Sequence, residues 1–153
     1  MFKGLTNKKG FTLVELMVVI ILIGLISGIL FSRSHQSNAA LAGETALLKS
    51  YLRFVQALAM ADNTRSWGIK IESNKYTLLE NAAVSGNLLP DAGSAERTIP
   101  SDRKVTISGI APNDTITFDE WGNPGSQSYT ITLGDGANPA QTITVTKNTG
   151  FIQ

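Results

Sequence analysis

KKGFTLVELMVVIILIGLISGILF, Lys8 to Phe31, decides how the rest of this chain is read. From Phe11 to Phe31 every side chain is apolar, small or hydroxylic except one acid, Glu15. At roughly 1.5 Å per residue, such a run is long enough as a helix to cross most of a hydrocarbon core of about 30 Å. A carboxylate inside it costs on the order of 2.5–3.5 kcal/mol on insertion scales, so its presence calls for a use.

Working outward, the chain has 153 residues, 42% hydrophobic and 16% charged, which fits one modest domain beside the apolar segment. The formal net charge of +1 hides an asymmetry. Lys3, Lys8 and Lys9 are three of the 13 basic residues, so the ten after Phe11 face 12 acids and that part carries about −2. Lysines before the run and none within it place the first ten residues on the cytoplasmic side and the remainder on the exported side. With no cysteine, disulfides and thiolate metal sites are excluded, while an exported domain is not. A cleaved secretory signal, with Leu16 to Phe31 as its apolar core and Ala40-Leu41-Ala42 as its cleavage site, is one alternative, but it gives Glu15 no role.

The combination KKG, then FTLVE, then a membrane-length apolar run resembles the processing site of type IV prepilins and of the pseudopilins of type II secretion. The resemblance implies that a prepilin peptidase cuts between Gly10 and Phe11, with Lys8 and Lys9 as leader charge, and N-methylates the new terminus at Phe11. It implies that Glu15 pairs with the terminal amine of a neighbouring subunit during filament assembly. The stretches LKSYLRFVQALAMADNTRSWGIKIESNKYTLLE and ITFDEWGNPG, with the closing TITL and ITVT, are similar to H-type minor pseudopilins and related minor pilins. Many major pilins carry a proline near the position of Ser32, and this sequence has none there.

After Phe31 the pattern is amphipathic. Leu41, Leu48, Tyr51 or Leu52, Val55 and Leu58 or Ala59 recur at three- and four-residue steps, with Glu44, Lys49, Arg53 and Gln56 between them. Asp62-Asn63-Thr64 supplies stop chemistry, so the helix is expected to end near Asp62. Beyond it the period becomes two: WGIKIE and KYTLLE form a hairpin across Ser73-Asn74, and KVTIS, TITF, SYTITL and QTITVT follow as strands of an antiparallel sheet. Residues 81–103 show no period and read as a long surface loop, where a specificity determinant would sit.

The expected fold is therefore α+β and pilin-like: a long N-terminal helix, membrane-spanning in its first half, packed on a C-terminal antiparallel sheet. The expected divisions are a removed leader over 1–10, a transmembrane and filament-core helix over 11–32, its amphipathic continuation over 33–62, and an exported β-rich part over 63–153. No catalytic residue, cofactor or metal site is expected. His35 is the single histidine and lacks triad partners, and Asp119-Glu120 reads as a turn before Gly122-Asn123-Pro124. Asp135-Gly136-Ala137-Asn138 reads as a turn rather than a calcium loop.

The implied role is a non-enzymatic minor subunit of a type II secretion pseudopilus that helps initiate or cap the filament. It would be anchored in the inner membrane by a single pass, with its C-terminal part in the periplasm of a Gram-negative cell, and be extractable into a filament. Its partners would be other pilin or pseudopilin subunits and the prepilin peptidase/methyltransferase. A minor pilin of a type IV pilus and a secreted α+β protein with a cleaved signal stay open. DNA contact is not expected, because Lys49, Arg53, Arg65, Lys70, Lys75 and the later Arg97, Arg103 and Lys104 are interleaved with acids.

Overall fold

The computed structural model describes residues 12–111 and 114–153, with side chains at 12–27, 38–110 and 114–153. The chain divides into two units, Met1–Gln36 and Ser37–Gln153. One helix, α1 (Leu13–Ala61), contributes to both.

In the first unit, α1 starts where Thr12 caps it: the Thr12 hydroxyl accepts from the Glu15 N–H at 3.2 Å, and the Thr12 carbonyl accepts from the Leu16 N–H at 3.2 Å. The large apolar side chains from Leu13 to Ile26 are all exposed, between 41 and 75%. Among the described residues no helix is long and apolar enough to cross a membrane. The described apolar side chains stop at residue 27, and the remainder of the expected 11–32 segment, Phe11 and 28–32, has no described side chains.

In the second unit α1 buries one stripe: Leu41, Leu48, Tyr51, Leu52, Val55 and Ala59, the positions that the three- and four-residue spacing selects. The helix stops at Ala61 because Asp62 folds back. Its Oδ1 accepts from the Thr64 N–H at 3.0 Å and the Thr64 hydroxyl at 2.6 Å, an Asx turn that competes with further helix. These hydrogen bonds, more than the nearby Arg65, hold the Asp62 carboxyl below its usual range.

Eight strands follow in two sheets, where the sequence reading expects one. The larger sheet is built on β1 (Trp67–Ile71) and β2 (Lys75–Glu80), paired antiparallel with Ile69 opposite Leu78. Its tight turn closes with the Glu72 N–H donating to the Lys75 carbonyl at 2.8 Å. The outer edge of β1 takes β6 (Thr115–Phe118), with Ile69 opposite Ile116. Gly68 lies opposite Thr117, where a Cβ would sit 2.9 Å from the Thr117 methyl. The smaller sheet runs β5-β7-β8, with β5 (Thr106–Ala111), β7 (Tyr129–Gly134) and β8 (Gln141–Val145) all antiparallel.

The 81–103 stretch departs from the expected loop. It contains β3 (Ala83–Val84) and β4 (Glu96–Thr98), which pair with successive stretches of the free edge of β2, and a short 3-10 turn at Ser101–Arg103. Two- and three-residue strands leave no readable alternation, and backbone pairing to an available edge decides their conformation.

One core joins these elements: the α1 stripe packs with Ile69, Ile71, Tyr76, Leu78 and Ile116 of the larger sheet and with Ile131, Leu133, Ile143 and Val145 of the smaller. Since that core lies wholly within the second unit, a chain beginning at Ser37 should fold alone. Circular dichroism is expected to show helix and strand with a single cooperative melt; a molten or aggregating product would contradict this partition.

Candidate assembly site

Of the site residues read from the sequence, Lys8, Lys9, Gly10 and Phe11 lie outside the described residues, as does the His35 side chain. Glu15 is described. It stands in the first turn of α1, three residues after the capping Thr12. Thr12-Leu13-Val14-Glu15 has the spacing of a capping box, a local signal that the sequence reading passed over. The Thr12 half of the box is made, while the exposed Glu15 carboxylate makes no hydrogen bond among the described residues. The partial positive charge at a helix N-terminus favours a carboxylate by about 0.3–1 kcal/mol. Around it, the exposed apolar side chains of Leu13 to Ile26 offer a surface that water disfavours.

A second charged site was not foreseen. Glu44, read from its spacing as polar filler on the exposed side of the helix, is fully buried. Its Oε1 accepts from Arg97 Nη2 at 2.9 Å and from Arg103 Nη1. Arg97 stands on β4 and Arg103 on the 3-10 turn, so the irregular 81–103 stretch is tied to α1 through one carboxylate. Tyr51 and Tyr76 pack beside it edge to face, ring centroids 6.0 Å apart. Burial pushes the Tyr76 phenol well above its ordinary range, and the Glu44 charge adds to that rise. Burial raises the Tyr51 phenol as well, with the Arg97 cation pulling partly against it.

The same geometry disposes of most of the basic residues considered for phosphate contact. Arg65 meets Asp62 at 3.4 Å and Glu80 at 2.8 Å, Lys70 meets Glu72 at 3.2 Å, and Lys75 bridges Glu72 and Glu96 at 3.4 and 3.3 Å. These lysine hydrogen bonds hold the Glu72 carboxyl below its usual range. Arg53 reaches the Ile152 carbonyl at 3.4 Å. With Arg97 and Arg103 held by Glu44, the expected second basic group is not a free cluster.

The other sequence candidates resolve into turns. Asp119 Oδ1 accepts from the Trp121 and Asn123 N–H groups at 3.0 and 2.8 Å, and Asp135 Oδ1 accepts from those of Ala137 and Asn138 at 3.0 and 2.8 Å. Among the described residues no group of three or more His, Cys, Asp or Glu is placed to hold a metal.

Residues 5–31 match the prokaryotic N-terminal methylation motif. No curated protein matches the chain. Two crystal structures of the type IV minor pilin FimU from Pseudomonas aeruginosa share its fold. One aligns over 80% of this chain and 90% of FimU with a TM-score of 0.56, the other over 76% and 90% with a TM-score of 0.51, each at 13% identity. The chain thus carries the methylation motif on a pilin-like α+β fold.

Removing Glu44 would leave two arginines, one of them largely buried, without a counter-charge. Glu44→Ala is expected to destabilise the second unit by about 3 kcal/mol, the lower end for breaking a buried pair because Arg103 is half in solvent. Lys75→Ala, at an exposed pair, should leave the denaturant midpoint close to wild type. Equal midpoints for the two variants would show that the Glu44 pairing does not hold the 81–103 stretch.

Proposed function

We propose that this chain is a minor pilin-like structural subunit of a type II secretion pseudopilus. In this reading prepilin peptidase removes 1–10, the helix over 11–32 enters the inner membrane and then the filament core, and 33–62 continues it as the amphipathic support of the exported 63–153. The observation that carries the proposal is the methylation motif joined to a capped helix whose large apolar side chains from Leu13 to Ile26 are all exposed. Such a surface needs lipid or other helices around it. The pilin-like fold supports the same reading.

Glu15 supplies the assembly step. Cutting after Gly10 creates an amine at Phe11, and Thr12 starts the helix immediately after it. In hydrocarbon an unpaired carboxylate and an unpaired ammonium are each costly, and bringing them together offsets both. The Glu15 of one subunit, whose carboxylate makes no hydrogen bond among the described residues, accepts the Phe11 amine of the next. A subunit docked one turn out of register leaves both charges unpaired, which makes the pair a register device as well as an attachment. The role is structural, with no chemical step assigned to any side chain.

A minor pilin of a type IV pilus is the second reading, and the FimU fold favours it. It shares the processing and assembly steps and differs in the machine served.

Glu15→Gln separates these steps. The variant should still be cut between Gly10 and Phe11, seen by mass spectrometry as a chain starting with N-methyl-Phe, and should reach the inner membrane at wild-type level or above. Its recovery with partner pilin-like subunits should fall at least tenfold. A processed, inserted variant that assembles normally would contradict the pairing, and a mature chain starting elsewhere would contradict the assignment.

A further inference from the structure

Three exposed apolar residues lie where the C-terminal end of α1 meets two turns. Gln56 Nε2 donates to the Gly122 carbonyl at 2.7 Å and to the Gly150 carbonyl at 3.0 Å. The two turns touch backbone to backbone: a Cβ on Gly150, whose φ is +63°, would lie 1.9 Å from the Gly122 carbonyl oxygen. A Cβ on Gly122 would lie 2.9 Å from Met60 Sδ. Met60, Trp121 and Phe151 therefore start at or next to this clamp, and they are 59, 79 and 62% exposed. The Trp121 turn is held further by Asp119, through its carboxylate and its carbonyl, and Arg53 holds the Phe151 segment through the Ile152 carbonyl.

Glutamine, arginine and two glycines thus hold the backbone that carries two exposed aromatic residues. Trp, Phe and Met are the types enriched in interface centres, and side chains displayed on fixed turns lose little freedom when a partner arrives. The exposed fractions of the three residues sum to on the order of 400 Å². A stable free complex needs about 800 Å² per partner. The patch alone is too small to hold a diffusing protein, but it suffices for a partner already tethered, since a second attachment makes the contact effectively intramolecular. A pilin-like subunit gathered through its own N-terminal helix is such a partner.

We propose that Met60, Trp121 and Phe151 form the docking surface for the exported part of a neighbouring pilin-like subunit. This rests on the filament reading above and adds a second, water-side contact to the helical one. The contact needs apolar side chains on the partner and operates only while both subunits are held by their helices.

The test uses the full chain, co-expressed with the pilin-like subunits of its own system. A benzophenone amino acid at position 121 should cross-link to one of those subunits, identified by mass spectrometry, and the cross-link should vanish in Glu15→Gln. The double variant Trp121→Ala/Phe151→Ala, with wild-type melting of the exported part, should recover at least tenfold less partner, while Leu88→Ala, at an exposed apolar residue elsewhere, should not. Normal recovery by the double variant, or a cross-link that goes instead to exported cargo or persists in Glu15→Gln, would overturn the docking surface and leave the filament reading standing. If the wild-type chain recovers no pilin-like subunit, the filament reading falls and the docking surface with it.

Discussion

The helix surface from Leu13 to Ile26 is the constraint on which the other features depend. At about 25 cal/mol per Å² of apolar area, water exerts a large penalty on these twelve exposed apolar side chains, which the proposed covering by lipid or by neighbouring helices would relieve. Either covering has a low dielectric, and Glu15 then stops being a minor surface charge and becomes a strong constraint on which neighbour is acceptable. Thr12 matters for the same reason. By satisfying the Glu15 N–H it closes the first turn beside the proposed processing point.

The second unit, 37–153, meets a different problem with the same helix. One stripe of α1 must serve two sheets and a 23-residue irregular stretch, 81–103, that has little apolar content of its own to bury. Leu89, Ala95 and Ile99 tuck in, but the stretch is fixed in place by Glu44, the buried carboxylate that takes both Arg97 and Arg103. Desolvating that ion triad consumes much of its attraction, so it contributes more to where the stretch lies than to how stable the domain is.

The helix and most of the strands were legible in the sequence because their signals are periodic. Leu41, Leu48, Tyr51, Leu52, Val55 and Ala59 were picked out by spacing, the end near Asp62 by its side-chain chemistry, and the hairpin by alternation on both sides of Ser73-Asn74. Alternation fixes which face a strand buries but not which strand it pairs with, so β6 joining β1, and β5, β7 and β8 forming a separate sheet, could not be read. Strands as short as β3 and β4 carry no period. Glu44 was misread because an acid at a helical position is usually solvated; its burial depends on arginines 53 and 59 residues away. The role of Gln56 likewise exists only once Gly122 and Gly150 are brought beside it. At the N-terminus the motif around Gly10, Phe11 and Glu15 was legible as a resemblance, and the methylation match over residues 5–31 agrees with it.

In the proposed arrangement one helix holds this chain in the membrane while the β-rich part stands on the exported side. Because the chain has no cysteine, Lys147→Cys, at an exposed position near the end of β8, gives a single reporter. Spheroplasts of cells expressing the full chain should label at this position with a membrane-impermeant maleimide, and the labelled chain should stay in the membrane fraction through alkaline carbonate extraction. Labelling only after lysis would place the domain on the wrong side, and release of the labelled chain by osmotic shock would show that no helix anchors it.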